Sequence, residues 1–450
     1  MLKVTKVTLQ CHPEAQPKDL ANEGEVLRFA QNDSFAAILG TQHFRHFALL
    51  GTLALVPDWI WFAFIFAIGC CIGSFLNVVV YRLPRDKSLV TPPSACPSCG
   101  RHIRFYDNVP LVSWLLLGRK CRYCKAPVSP RYFAIELLTG LVFLGLFILY
   151  FRTDVRETVQ PFSDRGWLIY LLHVTMLAAF IAASAIDLEH WIIPLSICWL
   201  VTAVGLVGSA AGGWVINPAL NKAYSLLPMA SPETGALAAG AAIGMALSMT
   251  LLATGVFKRS YESDAAVHDD PSEEQNTAAK NGLCAAGDEP AGQQFNHRLE
   301  AGREIVFLLP IVVCAYAAFR LSTSIEPVSA FWQSFSQRPV VAGLLGSLWG
   351  YFVGCGIVWA IRIFGTLAFG KEAMGLGDVH LMGAAGAVIG WFPVVIAFFV
   401  APFFGLAWVA SQMFFKKIRQ IPYGPFLSLG VLVVMILHDV IQNWFGFFYR

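Results

Sequence analysis

Long apolar stretches recur along this chain, and polar or glycine- and proline-rich segments separate them. Crossing the hydrocarbon core of a bilayer takes about 20 apolar residues in a helix. The pattern therefore predicts an all-α polytopic membrane protein with about 8–9 transmembrane helices. The runs are residues 59–81, 133–151, 168–186, 191–211, 236–257, 305–319, 340–364, 381–415 and 426–448.

The run 381–415 is harder to interpret because it is 35 residues long and contains Pro393 and Pro402. A proline inside a helix removes a backbone hydrogen bond and tends to kink or end it. The sequence therefore predicts either two short helices or one re-entrant pair in this stretch.

The polar segments divide the chain into regions. The segment that precedes the last group of runs is rich in Asp, Glu, Asn, Gln, Gly and Ala, which predicts a disordered cytoplasmic insert. The predicted regions are a poorly defined N-terminal tail at 1–56, the first transmembrane helix at 57–81, a cytoplasmic loop at 82–131, a membrane domain at 132–257 and 304–450, and the insert at 258–303.

Basic residues are concentrated in the loop Arg82–Arg131, which carries ten Lys and Arg against two acids. By the positive-inside rule this loop is expected on the cytoplasmic side. Counting helices from the loop places the C-terminal end of the run 168–186 and the N-terminal end of the run 381–415 on that same side. Two acids, Asp187 and Asp378, lie at these ends.

The composition agrees with a membrane protein and narrows its partners. Hydrophobic residues make up 56% of the chain and charged residues 14%, whereas soluble domains carry about 45–50% and about 25%. The net charge of +3 is too small to indicate nucleic-acid binding. We therefore expect membrane lipid and protein partners, and no nucleic acid.

Two Cys-x-x-Cys pairs lie in the basic loop, Cys96 with Cys99 and Cys121 with Cys124. Each pair can present two thiolates to one tetrahedral metal, and the 21 residues between the pairs slightly exceed the usual zinc-ribbon spacing. A polar loop of this length has little core, and a metal would stabilise it. We expect structural zinc, with redox-active pairs or unliganded thiols as alternatives.

Asp187 and Asp378 are the candidate catalytic residues. Asp378 follows Gly375-Leu376-Gly377, and Asp187 precedes a short turn that contains Ile193-Pro194. Acids at a membrane boundary are paired, solvated or functional, and the simpler interpretation is a helix-end carboxylate solvated by water or headgroups. Two neighbouring carboxyls can share a proton and activate water for peptide hydrolysis, which favours an aspartyl protease.

Other polar residues near these acids are expected to play smaller parts. Glu189 and His190 are interpreted as interfacial residues, His380 as a group that tunes Asp378 or meets headgroups, and Glu136 as a partner for an arginine. The chain contains neither Gly-x-Ser-x-Gly nor His-Glu-x-x-His, so serine and zinc proteases lack support.

Several further short motifs accompany the two acids and the cysteine pairs. They are Gly73-Ser74-Phe75-Leu76-Asn77-Val78-Val79 with Tyr81-Arg82-Leu83-Pro84, Ser129-Pro130-Arg131-Tyr132, Glu136-Leu137-Leu138-Thr139-Gly140, and Pro422-Tyr423-Gly424-Pro425-Phe426-Leu427.

Taken together, these motifs resemble the type IV prepilin peptidase family of bacterial inner membranes, over about residues 60–450 without the insert. The resemblance implies a multi-pass aspartic endopeptidase with Asp187 and Asp378 as its catalytic pair. It implies cleavage of the leader of type IV prepilins, or of pseudopilins of type II secretion, on the cytoplasmic side. It also implies N-methylation of the new N-terminus, with S-adenosylmethionine as cofactor.

The chain departs from the family pattern at Leu195, where an acid or amide often follows the Ile-Pro pair, and at His380, where lysine is usual. No glycine-rich loop marks a cofactor site, so the residues that bind S-adenosylmethionine stay unassigned. The alternatives are a transporter or an assembly scaffold with a zinc-stapled loop. A transporter should show internal repeats with matching broken helices, and none is visible in the sequence.

Overall fold

The apolar runs form helices in a computed structural model of the chain, which describes residues 57–153, 162, 165–216, 227–258, 260, 297–414 and 422–445. Eight described helices are long and apolar enough to cross a membrane, or nine if one bent pair counts as a span. This confirms the predicted class. The helices are α1 Asp58–Arg82, α2 Pro130–Phe151, α3 Trp167–His190, α4 Leu195–Val215, α5 Pro232–Ala253, α6 His297–Ser324, α7 Glu326–Ser336, α8 Pro339–Phe369, α9 Leu376–Ile389, α10 Trp391–Phe414, α11 Gly424–Ile436 and α12 His438–Phe445.

The chain divides into residues 1–63 and 64–450. Of the first unit the structure describes only Pro57 and the opening residues of α1, so the predicted N-terminal tail lies outside the described residues. Most of the predicted insert lies outside them too. The site and the packing considered below belong to the second unit.

Several helices begin where the sequence supplies a capping residue followed by proline. Ser129 caps α2 by accepting a hydrogen bond from the Arg131 N–H, and Pro130 opens the helix. Ser231 and Thr234 form a capping box at the start of α5. Both arrangements satisfy backbone donors that a helix start leaves free, and proline is tolerated at this position.

The buried centre of the second unit consists of α3 and α9. In α3, 72% of the span is buried, against 11% in α6, which lies at the periphery. Small residues let α9 approach its neighbour α8 closely: a Cβ added to Gly350 would lie 2.0 Å from the Gly386 carbonyl oxygen. Close packing through small residues is the usual way for helices to associate in a membrane.

Three boundaries differ from the sequence prediction. Helix α6 begins at His297 rather than at residue 305, because the charge of Glu304 is paired inside the protein with Arg362 and does not end the helix. The run 381–415 breaks at Gly390, which has φ of 88°, while Pro402 lies inside α10. The last run bends by 71° between α11 and α12. The stretch 381–415 therefore forms two helices, α9 and α10.

The basic loop after α1 is made of short turns and one short helix, Val112–Leu116, and it is attached to α2. The Trp114 ring stacks on Phe133 with their centroids 4.7 Å apart. At the end of α1, Asn77 donates a hydrogen bond to the Tyr132 carbonyl at 3.0 Å. These contacts give the loop a defined position against the membrane helices.

Candidate active site and metal centre

Asp187 lies in the last turn of α3 and is only 4% exposed. A helix C-terminus carries negative partial charge and does not favour a carboxylate. The compensating donor comes from the first residue of α11, because the Gly424 N–H donates a hydrogen bond to Asp187 Oδ2 at 3.1 Å. Asp187 therefore occupies the N-terminus of a second helix, where backbone N–H groups and the helix dipole favour an anion.

Asp378 lies in the first turn of α9 and is partly exposed. Gly375 is the residue that precedes the helix, and the Asp378 carboxyl lies close to it: a Cβ added to Gly375 would lie 3.5 Å from Asp378 Oδ2. An acid at the third helical position that reaches back to the N-cap backbone satisfies a donor the helix leaves free. The helix dipole of α9 favours a carboxylate there as well.

The side chain of Ile193 lies against the two glycines that adjoin the acids. A Cβ added to Gly377, the neighbour of Asp378, would lie 2.8 Å from Ile193 Cβ. A Cβ added to Gly424 would lie 2.6 Å from Asp187 Oδ2 and 3.0 Å from Ile193 Cδ1. Asp187 is also one of the charges that act electrostatically on Asp378. The structure thus brings both predicted acids together around one isoleucine and two glycines.

A buried ionic cluster holds the segment in front of Asp378. Arg362 on α8 and Glu304 on α6 are each 3% exposed, and their side chains meet at 2.7 Å. The same guanidinium reaches Glu372 at 2.7 Å and donates to the Met374 carbonyl. Buried charges are stable only when they are paired and hydrogen-bonded. The cluster therefore fixes the position of the short segment between α8 and α9.

A second hydrogen-bonded chain supports Asp187. Ser184 donates to the Ser428 hydroxyl at 3.0 Å, and Ser428 donates to the Gly424 carbonyl at 3.0 Å. The hydroxyls therefore link α3, one turn before Asp187, to the residue of α11 that holds its carboxylate. Neither this link nor the Arg362 cluster can be predicted from the sequence, because both depend on pairings between distant segments.

The remaining polar candidates lie to the side of the pair. Glu189 forms an ion pair with Arg131 at the start of α2, and His190 lies 4.0 Å from Glu189. His380 meets the Tyr351 hydroxyl at 3.1 Å, and its ring centroid lies 5.3 Å from that of Trp199.

The expectation that Glu136 pairs with an arginine is wrong for the described residues. Its carboxylate instead accepts a hydrogen bond from the Leu111 backbone N–H at 2.8 Å. The acid therefore ties the basic loop to α2 without a counter-charge.

The four predicted cysteines of the basic loop form one cluster, in which the sulfur atoms lie within 4.8 Å of one another. Four thiolates bound 2.3 Å from one zinc ion would stand about 3.8 Å apart. The Sγ atoms of Cys96 and Cys124 are 3.8 Å apart. The cluster therefore has the size and the donor set of a tetrahedral site for a metal such as zinc.

The two cysteine pairs have nearly the same local structure. The Gly100 N–H donates to the Cys96 carbonyl at 2.9 Å, and the Lys125 N–H donates to the Cys121 carbonyl at 3.1 Å. Gly100 and Lys125 have φ of 69° and 57°. The backbone N–H groups of Cys124 and Tyr123 lower the pKa of the Cys121 thiol to about 6, which favours the thiolate that binds metal.

An ion pair lies beside the second cysteine pair, Cys121 and Cys124. Arg122, between the two cysteines, donates to both carboxylate oxygens of Asp107, and this contact holds the pKa of Asp107 below its usual range. A bidentate arginine–carboxylate contact fixes orientation as well as charge. The Arg122–Asp107 contact therefore connects the second cysteine pair to the turn that contains Asp107.

Two family profiles match this chain. One, described as the Bacterial Peptidase A24 N-terminal domain, matches residues 67–150, which include the cysteine cluster. The other, described as the Type IV leader peptidase family, matches residues 307–410, which include Asp378 and Arg362. Asp187 lies outside both matched ranges. No solved structure gives a significant match.

Several curated proteins are similar to the chain. A protein of Myxococcus xanthus named "Prepilin leader peptidase/N-methyltransferase" is 42% identical over 33% of this chain and 39% of its own length. A protein of Aeromonas hydrophila with the same name is 23% identical over 88% of this chain and 98% of its length. An Escherichia coli protein named "Type 4 prepilin-like proteins leader peptide-processing enzyme" is 40% identical over 32% of this chain and 55% of its length.

Proposed function

The chain belongs to the type IV leader peptidase family, and on that premise we propose that it is a membrane aspartic endopeptidase. Its substrates are type IV prepilins or related pseudopilins, from which it removes the leader peptide. The observation that supports this proposal is that Gly377, next to Asp378, and Gly424, which binds Asp187, both lie against Ile193, with the acids at the N-termini of two helices.

The proposed reaction follows from two carboxyl groups that share one proton. The ionised carboxylate takes a proton from water, whose oxygen then attacks the scissile carbonyl. The protonated carboxyl donates to the carbonyl oxygen and, later, a proton reaches the leaving nitrogen. Because the two groups titrate together, their acid and base roles belong to the pair of Asp187 and Asp378.

Sidedness supports the same assignment. The loop between α1 and α2 carries the dense positive charge that is typical of cytoplasmic loops. Both acids are then expected at the cytoplasmic boundary of the bacterial inner membrane, where a short basic leader would lie. The polytopic helix pattern supports a multi-pass location there.

We further propose that the chain methylates the N-terminus that cleavage exposes, since the Myxococcus and Aeromonas relatives are named for both activities. S-adenosylmethionine, when bound, supplies an electrophilic methyl group on a positively charged sulfur. The chain must hold that cation beside the α-amino group of the shortened substrate.

The metal proposed for the cysteine cluster is zinc in a structural role. Four thiolates complete a tetrahedral site and leave no position for substrate. Purified protein should contain about one zinc per chain, and Cys99→Ser should lower that content. Trypsin should cut the arginine- and lysine-rich loop readily in Cys99→Ser but slowly in the parent protein, because metal binding stabilises such loops. Cys71→Ser, which changes an exposed cysteine of α1 outside the cluster, is the control.

The peptidase is tested by co-expression with a prepilin-like substrate. Leader removal should fall by at least about a thousandfold in Asp187→Asn and in Asp378→Asn, because asparagine keeps the size but cannot act as acid or base. Glu189→Gln is the matched control, since it removes a neighbouring carboxylate that pairs with Arg131.

The outcomes separate the rival functions. Normal processing in either asparagine variant would contradict the catalytic pair. Absence of processing by the parent protein with several prepilin-like substrates would favour a transporter or an assembly scaffold.

A further inference from the structure

We propose that S-adenosylmethionine binds in the pocket between α1 and the cysteine loop, with Glu136 as the counter-charge for its sulfonium. This inference rests on the proposed function, because it names a site for the methylation half of that activity. The hydrolytic role proposed for the aspartate pair leaves that half unexplained.

The pocket has a volume of about 360 Å³. This size falls in the range of sites for small molecules and cofactors, which are about 300–1,000 Å³. One wall is a face of α1 that includes Ser74 and Phe75, and the opposite wall comes from the loop and includes Val90, Asn108 and Pro110. All of these residues lie inside the range matched by the N-terminal family profile.

A buried carboxylate lies directly behind this pocket. Glu136 is 8% exposed and packs against α1 beside the lining residue Ser74: a Cβ added to Gly73 would lie 2.7 Å from Glu136 Cα. The Glu136 carboxylate also accepts the Leu111 N–H at 2.8 Å, next to the lining residue Pro110. Among the described residues no lysine or arginine pairs with it. A buried carboxylate without a counter-charge favours a cationic ligand nearby.

A positive charge also lines this pocket, at the C-terminal end of α1. Arg82 lines it and donates to the Ser88 carbonyl at 2.9 Å and to the Pro92 carbonyl at 2.6 Å. These bonds hold the loop over the pocket. An arginine and a carboxylate beside one pocket match a ligand that carries both a carboxylate and a cationic sulfur.

The apolar part of the lining fits the remainder of such a ligand. Phe75, Val78 and Val90 offer the flat and aliphatic surface that an adenine ring would cover, and Asn108 offers both a donor and an acceptor. The pocket shares no lining residue with the surroundings of Asp187 and Asp378. The two activities should therefore be separable by mutation.

The test compares two ligands that differ by one methyl group and one positive charge. Binding of S-adenosylmethionine and of S-adenosylhomocysteine to the full-length protein in detergent is measured by calorimetry. Glu136→Gln should lower the affinity for S-adenosylmethionine by about tenfold. It should lower the affinity for S-adenosylhomocysteine, whose sulfur is neutral, by less than about twofold. A purely structural role for Glu136 would weaken both ligands equally. An unchanged ratio of the two affinities, or no binding to the parent protein, would overturn the proposal.

A second variant keeps the test independent of the buried acid. Val90 is 84% exposed and lines the pocket, so Val90→Arg adds a positive charge without disturbing a core. It should lower the affinity for S-adenosylmethionine by about tenfold. Leu116→Arg is the control and should leave this affinity unchanged, because Leu116 is 82% exposed in the same loop but lies outside the pocket. Equal effects of the two variants would contradict the site.

Leader removal measured on the same preparations distinguishes this proposal from the proposed function. Asp187→Asn should lose cleavage and keep S-adenosylmethionine affinity, while Val90→Arg should show the reverse. Loss of ligand binding in Asp187→Asn would place the cofactor at the aspartates and overturn the pocket. Cleavage by Asp187→Asn with normal ligand binding would contradict the peptidase assignment alone.

Discussion

Asp187 and Asp378 both lie at the N-terminus of a helix, but they reach that position in opposite ways. Asp378 belongs to the first turn of its own helix, and its carboxyl lies close to Gly375, three residues earlier. Asp187 ends its helix, and its donor is the backbone of Gly424 at the start of another. Local sequence is therefore enough to orient one acid, whereas the other depends on a distant turn.

The supports behind the two acids differ in the same way. The segment before Asp378 is held by charges, through Arg362, Glu304 and Glu372. The residue that holds Asp187 is supported by neutral hydroxyls, through Ser184 and Ser428. Buried charge pairs are costly to break from one side, whereas neutral hydrogen bonds contribute modestly. Damage to the Asp378 side should therefore destabilise the fold more than damage to the Asp187 side.

The largest expected effect is on stability, from Arg362→Met. The change leaves Glu304 buried without its counter-charge, which should cost about 3–5 kcal/mol. Thermal unfolding in detergent measures it. Adding Glu304→Gln to the variant should restore part of the loss.

Arg303→Met is the matched control for Arg362, because Arg303 is partly exposed and meets Glu300 at 2.7 Å within one helix. Its loss should cost about 1 kcal/mol or less. Equal destabilisation by the two variants would contradict the special role of the buried cluster.

The next effect is on catalysis, from Gly424→Ala. The new Cβ would lie 2.6 Å from Asp187 Oδ2, so the acid or the turn must move. A displacement of about 1 Å at a reacting group can cost about a hundredfold, and leader removal should fall by that order. Gly145→Ala is the control, because a Cβ there meets nothing within 4 Å. Normal cleavage by Gly424→Ala would show that Asp187 does not need this turn.

A smaller effect distinguishes the two glycines before Asp378. A Cβ on Gly377 would lie 2.8 Å from Ile193 Cβ, whereas one on Gly375 would lie 3.5 Å from Asp378 Oδ2, an ordinary contact. Gly377→Ala should therefore lower leader removal by about tenfold and Gly375→Ala by about twofold. The reverse order would mean that the position of the Asp378 carboxyl depends on the flexibility of Gly375 and not on the packing of Gly377 against Ile193.

These contrasts explain which features the sequence could predict. The helices, the cysteine cluster and Asp378 follow from local patterns: apolar runs, Cys-x-x-Cys spacing and an acid at a helix start. The motif around Gly424 is visible in the sequence, but nothing near it indicates that the Gly424 N–H meets Asp187. The start of α6 was misplaced for the same reason, since the partner that neutralises Glu304 lies on another helix.

The smallest effect tests whether the hydroxyls behind Gly424 matter at all. Ser428→Ala removes the bond to the Gly424 carbonyl and the bond from Ser184, whereas Ser184→Ala removes only the second. At about 0.5–1.5 kcal/mol per neutral hydrogen bond, Ser428→Ala should lower leader removal by about fivefold and Ser184→Ala by about twofold. Initial cleavage rates at matched protein levels measure the difference, with Ser411→Ala on α10, whose hydroxyl bonds only within its own helix, as control. A larger loss in Ser184→Ala than in Ser428→Ala would mean that Ser184 acts on Asp187 directly, one helical turn away, and that the acid at the end of α3 is held more locally than its contact with Gly424 indicates.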